Sequence, residues 1–114
     1  KLIYVNPTFQ NPTGHTLSLP ARRDLLKLAY RYRVPIIEDG AYQELWFTSP
    51  PPASLVQLDA NDLVIHLNTF SKILAPGLRL GWIAAAPAID EWSMDNTPQL
   101  DEVTGVHAMG RVPV

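Results

Sequence analysis

Lys72 has two hydroxyls just before it, Thr69 and Ser71, and a second cation, Arg79, seven positions on. All four lie in the run NTFSKILAPGLRLGW, residues 68–82, among Pro76, Gly77, Gly81 and several apolar side chains. An amine can act as a nucleophile or move a proton, and a guanidinium with nearby hydroxyls can donate to an anion. A solvated lysine needs none of that company. Two further stretches carry polar groups of reactive type: NPTFQNPTG, residues 6–14, with Asn11, and IIEDGAY, residues 36–42, with Asp39 and Tyr42. Taken singly, each has an ordinary account. Asp39 could be a turn or cap residue, Tyr42 and Trp46 core or rim aromatics, and Arg79 the partner of a surface acid. His15, His66 and His107 have no metal-ligand spacing and read as structural, so no metal is expected.

The elements that must position these groups read as α/β. Leu2 to Val5 is a short apolar run closed by Asn6-Pro7, where proline removes a ladder donor. Asn11-Pro12-Thr13-Gly14 is turn chemistry. Ser18 predicts an N-cap, with Pro20 in the first turn where its missing N–H is harmless. Leu25, Leu28, Ala29 and Tyr32 then recur at helical spacing and predict the apolar stripe, while Arg23, Lys27 and Arg31 form a solvated basic face. Val34 to Ile37 predicts a second strand, ending at Glu38-Asp39-Gly40. Thr48 to Ser54, with three consecutive prolines, is a rigid loop. Leu63 to Leu67 predicts a third strand, continuous as expected when both faces are covered, and Leu78 to Ala86 a fourth. The first three should run parallel in that order. The short connection after Leu67 leaves little room for a crossover helix, so the fourth should be antiparallel. Ligands of open α/β sheets sit beyond the carboxyl ends of the strands. Asn6 to Asn11, Asp39 to Tyr42 and Asn68 to Lys72 all fall at such ends, so Lys72, Asp39, Tyr42, Asn11 and Arg79 should converge on one pocket.

Composition narrows the class. The chain has 114 residues, 46% of them apolar, and a net charge of -2, which suits a globular fold with a modest core. Near-balanced charge argues against a nucleic-acid surface in this segment. Without cysteine there is no disulfide framework, thiolate chemistry or cysteine-type zinc site. No apolar run approaches ~20 residues, so no membrane span is expected. The first residues read as a strand rather than a signal peptide, and a cytoplasmic origin is expected. Residues 87–114 carry five acids against the single Arg111 and show no clear periodicity; they should make few contacts with residues 1–86.

Taken together, NPTFQNPTG, IIEDGAY and NTFSKILAPGLRLGW resemble, in order and separation, the active-site motifs of the class I/II aminotransferases, the fold-type I pyridoxal-phosphate enzymes. The resemblance covers residues 2–88 and is closest to the branch of 2-aminoadipate-type aminotransferases and the aminotransferase-like domains of GntR-type (MocR) regulators. It implies a partial three-layer α/β/α large domain, with a mostly parallel sheet and one antiparallel strand. Residues 1–88 would be part of the cofactor-binding large domain and residues 89–114 a divergent or poorly ordered tail.

The resemblance also implies pyridoxal 5'-phosphate as cofactor, with Lys72, Asp39 and Tyr42 as catalytic residues. Lys72 is similar to the lysine that attaches the cofactor and shuttles the α-proton. Asp39, in the D-x-A-Y pattern, would face the pyridine nitrogen and keep it protonated. Tyr42 and Asn11 would hydrogen-bond the phenolic oxygen, and Thr69, Ser71 and Arg79 would hold the phosphate. Thr69 stands where the family often has serine. Gly40 replaces an acid common in the closest branch, at a position that the family does not fix. The implied whole is a homodimer acting on amino acids and 2-oxo acids. This segment would be an internal piece of it, lacking the phosphate loop, the ring-stacking aromatic and the small domain with its carboxylate-binding arginine. Arg111 is not assigned that last role. Two alternatives remain: the same core as effector domain of a GntR-type regulator, and a fragment without activity.

Overall fold

In the computed structural model, residues 1–86 and 106–108 are described, and they build one five-stranded sheet and two helices. Strands β1 (Ile3–Val5), β2 (Ile36–Asp39), β3 (Val64–Thr69), β4 (Gly81–Ala84) and β5 (Val106–Ala108) lie side by side in that order. The first three are parallel, with Ile3 opposite Ile36 and Ile36 opposite Val64. β4 runs antiparallel to β3, with Thr69 opposite Gly81. The expected α/β class, mostly parallel with one antiparallel pairing, is therefore present; β5 pairs in parallel with β4, so two strands rather than one run against the first three. Of the three layers expected, the described residues hold the sheet and one helical layer. No helix among them is long and apolar enough to cross a membrane.

Helix α1 (Leu19–Tyr32) starts as its sequence predicts: the Ser18 hydroxyl accepts from the Ala21 N–H, and Pro20 sits in the first turn. Its buried stripe differs from the expected one. Arg22, Leu26 and Ala29 are buried, whereas Leu28 and Tyr32 are exposed. The rotation follows from Arg22. Its donors find the carbonyls of Leu17, Ala53 and Pro7 and the Thr8 hydroxyl, at 2.9, 3.2, 2.9 and 2.7 Å, so a guanidinium can occupy an interior position. Arg23, Lys27 and Arg31 are exposed, as expected.

A second helix, α2 (Leu55–Leu58), was not foreseen. Its signal is legible afterwards: Ser54 and Gln57 form a capping box across its start. Leu55 joins Leu26, Ala29, Ile36 and Val64 in the core, which places both helices against the same face of the sheet. β3 alternates instead of being buried throughout. Val64, His66 and Asn68 face the helices, while Ile65, Leu67 and Thr69 are half-buried on the other face. The apolar run hid this alternation because two of the three interior positions are polar.

β4 is shorter than predicted. Pro76–Leu78 form a 3-10 turn, and Arg79 takes a left-handed backbone at φ 52°, so pairing begins only at Gly81. Of the tail expected to make few contacts with residues 1–86, Val106–Ala108 pair in parallel with Gly81, Trp82 and Ile83; its other residues lie outside the described ones. A free edge on β4 would leave backbone donors and acceptors unpaired, and a short extended triplet satisfies them without any apolar periodicity. Arg111 lies outside the described residues.

Candidate active site

Register carries the reactive groups to one edge. Asp39 closes β2 and Thr69 closes β3, both at the carboxyl ends of parallel neighbours. Successive strand residues point to opposite faces, so Asp39 and Thr69 project on the face away from the helices, while Glu38 and Asn68 project towards them.

Beyond Thr69 the chain folds into a tight turn. The Phe70 carbonyl accepts from the Leu74 and Ala75 N–H groups, at 2.9 and 3.1 Å. The Leu80 carbonyl accepts from the Phe70 N–H and from the Thr69 hydroxyl, each at 3.0 Å. That closure brings Arg79 back over Ser71 and Lys72. Thr69, Ser71, Lys72, Arg79, Leu80 and Gly81 line an open concavity of about 300 Å³. Among the described residues neither Lys72 nor Arg79 forms a salt bridge. Two cations and a serine hydroxyl facing one hollow can receive an anion. Thr69, which also lines the hollow, closes the turn: its hydroxyl donates to the Leu80 carbonyl and its oxygen accepts from the Ser71 N–H at 3.1 Å.

Asn11, Asp39 and Tyr42 do not line this hollow; their motifs connect to it through the contact of Tyr42 with Lys72. The Lys72 ammonium lies 5.7 Å from the centre of the Tyr42 ring, within cation–π range. Asn11 Nδ2 donates to the Tyr42 hydroxyl oxygen at 3.3 Å. Asn11 is presented by a cross-tied loop: Gly14 donates to the Gln10 carbonyl, Gln10 to the His15 carbonyl and Leu17 to the Pro7 carbonyl. Gly14, at φ 69°, takes the left-handed turn that glycine accepts without strain. Asp39 Oδ1 accepts from the Ala41 N–H at 3.0 Å, which turns the chain so that Tyr42 follows. The structure thus links Asn11, Tyr42 and Lys72 in one chain of contacts, joins Lys72 to Ser71 and Arg79 in one hollow, and sets Asp39 at the head of the turn carrying Tyr42.

Two groups escaped the sequence reading. Tyr4, on β1, donates its hydroxyl to Asp39 Oδ2. That bond, then burial and the charges of Asp39 and Tyr42, push the phenol up to about 12. The second is a buried network behind the site. Glu38 accepts from the Leu55 N–H at 2.7 Å and the Val56 N–H at 3.0 Å, and its Oε2 lies 2.9 Å from His66 Nδ1. Arg22 lies 4.0 Å away, its pKa lowered by burial and partly restored by Glu38. Since Glu38 precedes Asp39 and His66 precedes Asn68-Thr69 by two, the network anchors both strand ends. A lone buried carboxylate leaves no sequence signature; the alternation of Ile36 and Glu38 on one face was the available hint. Gly40, donating to the Leu67 carbonyl at 2.8 Å, packs against the His66 ring, which accounts for glycine here. Among the described residues no group of three His, Asp or Glu side chains is placed to hold a metal ion.

Residues 1–99 match the family described as aminotransferase class I and II. The chain belongs to that family. Among curated relatives it is 49% identical over 87 residues to aromatic-amino-acid aminotransferase 1 of Thermococcus litoralis, covering 76% of this chain and 21% of that one. It is also 40% identical over 101 residues to the HTH-type transcriptional regulator YisV of Bacillus subtilis, covering 89% of this chain and 21% of the regulator. A solved relative is the alpha-aminoadipate aminotransferase LysN of Thermus thermophilus, complexed with N-(5'-phosphopyridoxyl)-L-leucine. It superposes with a TM-score of 0.75 at 40% identity, over 79% of this chain and 24% of LysN. This class I/II aminotransferase chain therefore spans about a fifth of the length of the curated relatives it matches.

Proposed function

We propose that this chain is the cofactor-binding core of a pyridoxal-phosphate-dependent aminotransferase moving an amino group between an amino acid and a 2-oxo acid. One observation carries the reading: Lys72 and Arg79, free of acidic partners among the described residues, share a hollow with Ser71, and Lys72 reaches Tyr42. The donor set fits the group. A phosphate dianion suits the guanidinium of Arg79 and the hydroxyl of Ser71, in a turn that Thr69 holds closed. An amine, a carboxylate and a phenol stand at the same sheet edge. The phosphopyridoxyl compound held by LysN supports the same chemistry.

When bound, pyridoxal phosphate supplies an electron sink. The chain's own residues supply the rest. Lys72 Nζ would hold the cofactor covalently and carry the substrate's α-proton away and back. The Asp39 carboxylate would keep a proton on the ring nitrogen. Asn11 donates to the Tyr42 oxygen, which leaves the Tyr42 proton to be directed at the cofactor's phenolic oxygen. The same reading has the whole protein as a cytoplasmic homodimer, with no nucleic-acid contact through this segment.

A second reading is favoured by the similarity to YisV: the same core as the effector domain of a GntR-type regulator. One experiment separates them. The protein, at the full length its gene encodes, is loaded with pyridoxal phosphate, reduced with borohydride and mapped by mass spectrometry, and amino transfer to pyruvate or 2-oxoglutarate is assayed alongside. Label on Lys72 with turnover supports the enzyme. Label with sequence-specific DNA binding and no turnover supports the regulator. Label absent from Lys72 refutes both. Lys72→Arg should take no label, since a guanidinium is not nucleophilic near neutral pH.

A further inference from the structure

Tyr4 sits opposite Ile37 in the β1–β2 register, so Asp39 lies two positions further along the same face. A tyrosine ring spans that diagonal, and its hydroxyl ends on Asp39 Oδ2. The other oxygen, Oδ1, is taken by the Ala41 N–H at 3.0 Å. The carboxylate is therefore gripped at both oxygens, from two different elements. Asp39 forms no salt bridge among the described residues, so these two donors are what orients it. With only the Ala41 bond, the carboxylate plane could turn about its last torsion, which is broad and weakly restrained for aspartate.

Tyr4 is otherwise 60% exposed. Its ring is not a core residue, and the strand needs no phenol at this position to pair. Among the described residues, the Tyr4 hydroxyl finds its hydrogen-bond partner in Asp39.

We infer that Tyr4 is a positioning residue for Asp39, holding Oδ2 so that the carboxylate plane is set for a cationic ring nitrogen bound at the strand ends. The inference rests on the cofactor reading above. Each carboxylate oxygen has two acceptor sites, so Tyr4 and Ala41 can hold the group while a second site on each oxygen remains open to the ligand. The raised phenol keeps its proton through neutral pH and so remains a donor. Tyr4→Phe removes the donor and keeps the ring.

The test uses the protein at the full length its gene encodes, in three measurements. First, ultraviolet titration follows the tyrosines. One phenol in the wild type should ionise near 12, disappear in Tyr4→Phe and return towards the ordinary range in Asp39→Asn. Second, pyridoxal phosphate binding and the pH dependence of the bound cofactor's visible spectrum are compared in wild type and Tyr4→Phe. Affinity should fall about tenfold, and the spectral transition should move by roughly one pH unit. Third, inorganic phosphate affinity should not change in Tyr4→Phe, because the phosphate donors lie at the other end of the site. An ordinary Tyr4 titration, or an unchanged spectrum and affinity, would overturn the inference. Loss of phosphate affinity in Tyr4→Phe would overturn it too, by showing a general structural defect. Failure of the wild type to bind pyridoxal phosphate would bring down the cofactor reading and this inference with it.

Discussion

Gly40→Ala tests whether packing against His66 sets the turn that carries Asp39 and Tyr42. A Cβ at Gly40 would fall 2.5 Å from His66 Cε1 and 2.8 Å from Nε2, about 1 Å inside ordinary contact. The imidazole has little freedom to move away. It is buried, held 2.9 Å from Glu38 Oε2, and its ring centre lies 5.2 Å from that of Trp82. Moving it by the missing distance would carry Nδ1 beyond ~3.5 Å from the carboxylate, where the hydrogen bond is lost. Either the ring stays and the overlap costs ~1–3 kcal/mol, or it moves and a hydrogen bond to a charged group worth ~1.5–3 kcal/mol is given up. Because these are alternatives, the expected destabilisation is about 2–3 kcal/mol. Urea unfolding should show it as a midpoint lowered by roughly 1 M or more. His66→Ala removes the obstacle, and Gly40 does not have a positive φ. In that background Gly40→Ala should be neutral, or stabilising by ~0.4–1 kcal/mol through the unfolded chain. Equal losses in the two backgrounds would refute the reasoning.

Arg79→Ala should weaken pyridoxal phosphate binding by about tenfold to a hundredfold, as expected for one hydrogen bond to a charged group, in an equilibrium titration; unchanged affinity would remove Arg79 from the phosphate site. Arg22→Met should cost ~3–5 kcal/mol in denaturant unfolding, because the carbonyls of Pro7, Leu17 and Ala53 lose their donor and Glu38 loses its nearest buried cation. Tyr4 ties stability to alkaline pH. Its folded pKa, about 12, lies above the ordinary 10.0, so its contribution is complete below pH ~10 and is lost as pH rises through ~12. The unfolding midpoint should fall across that window, and less steeply in Tyr4→Phe.

Much of this molecule is legible in its sequence. Ser18 and Pro20 marked the start of α1, and apolar runs closed by Asn6-Pro7, Asp39-Gly40 and Asn68-Thr69 marked three strands whose carboxyl ends share an edge. Local rules govern these features: capping, proline geometry and the length of a connection depend on residues near in sequence. The motifs around Asn11, Asp39 and Lys72 could likewise be read as one family's, because order and spacing survive in a linear string. What the tertiary structure decided concerns partners far apart in the chain. Burial of Arg22 depends on carbonyls at Pro7, Leu17 and Ala53, which no helical period reports. Glycine at position 40 is explained by a ring 26 residues later. Tyr4 looks like any strand tyrosine until register sets it diagonal to Asp39. Val106–Ala108 lacks periodicity, and its place follows from the open backbone edge of β4. Side-chain burial and long-range hydrogen bonds are properties of the packed chain, and one-dimensional patterning records only the face each residue can offer.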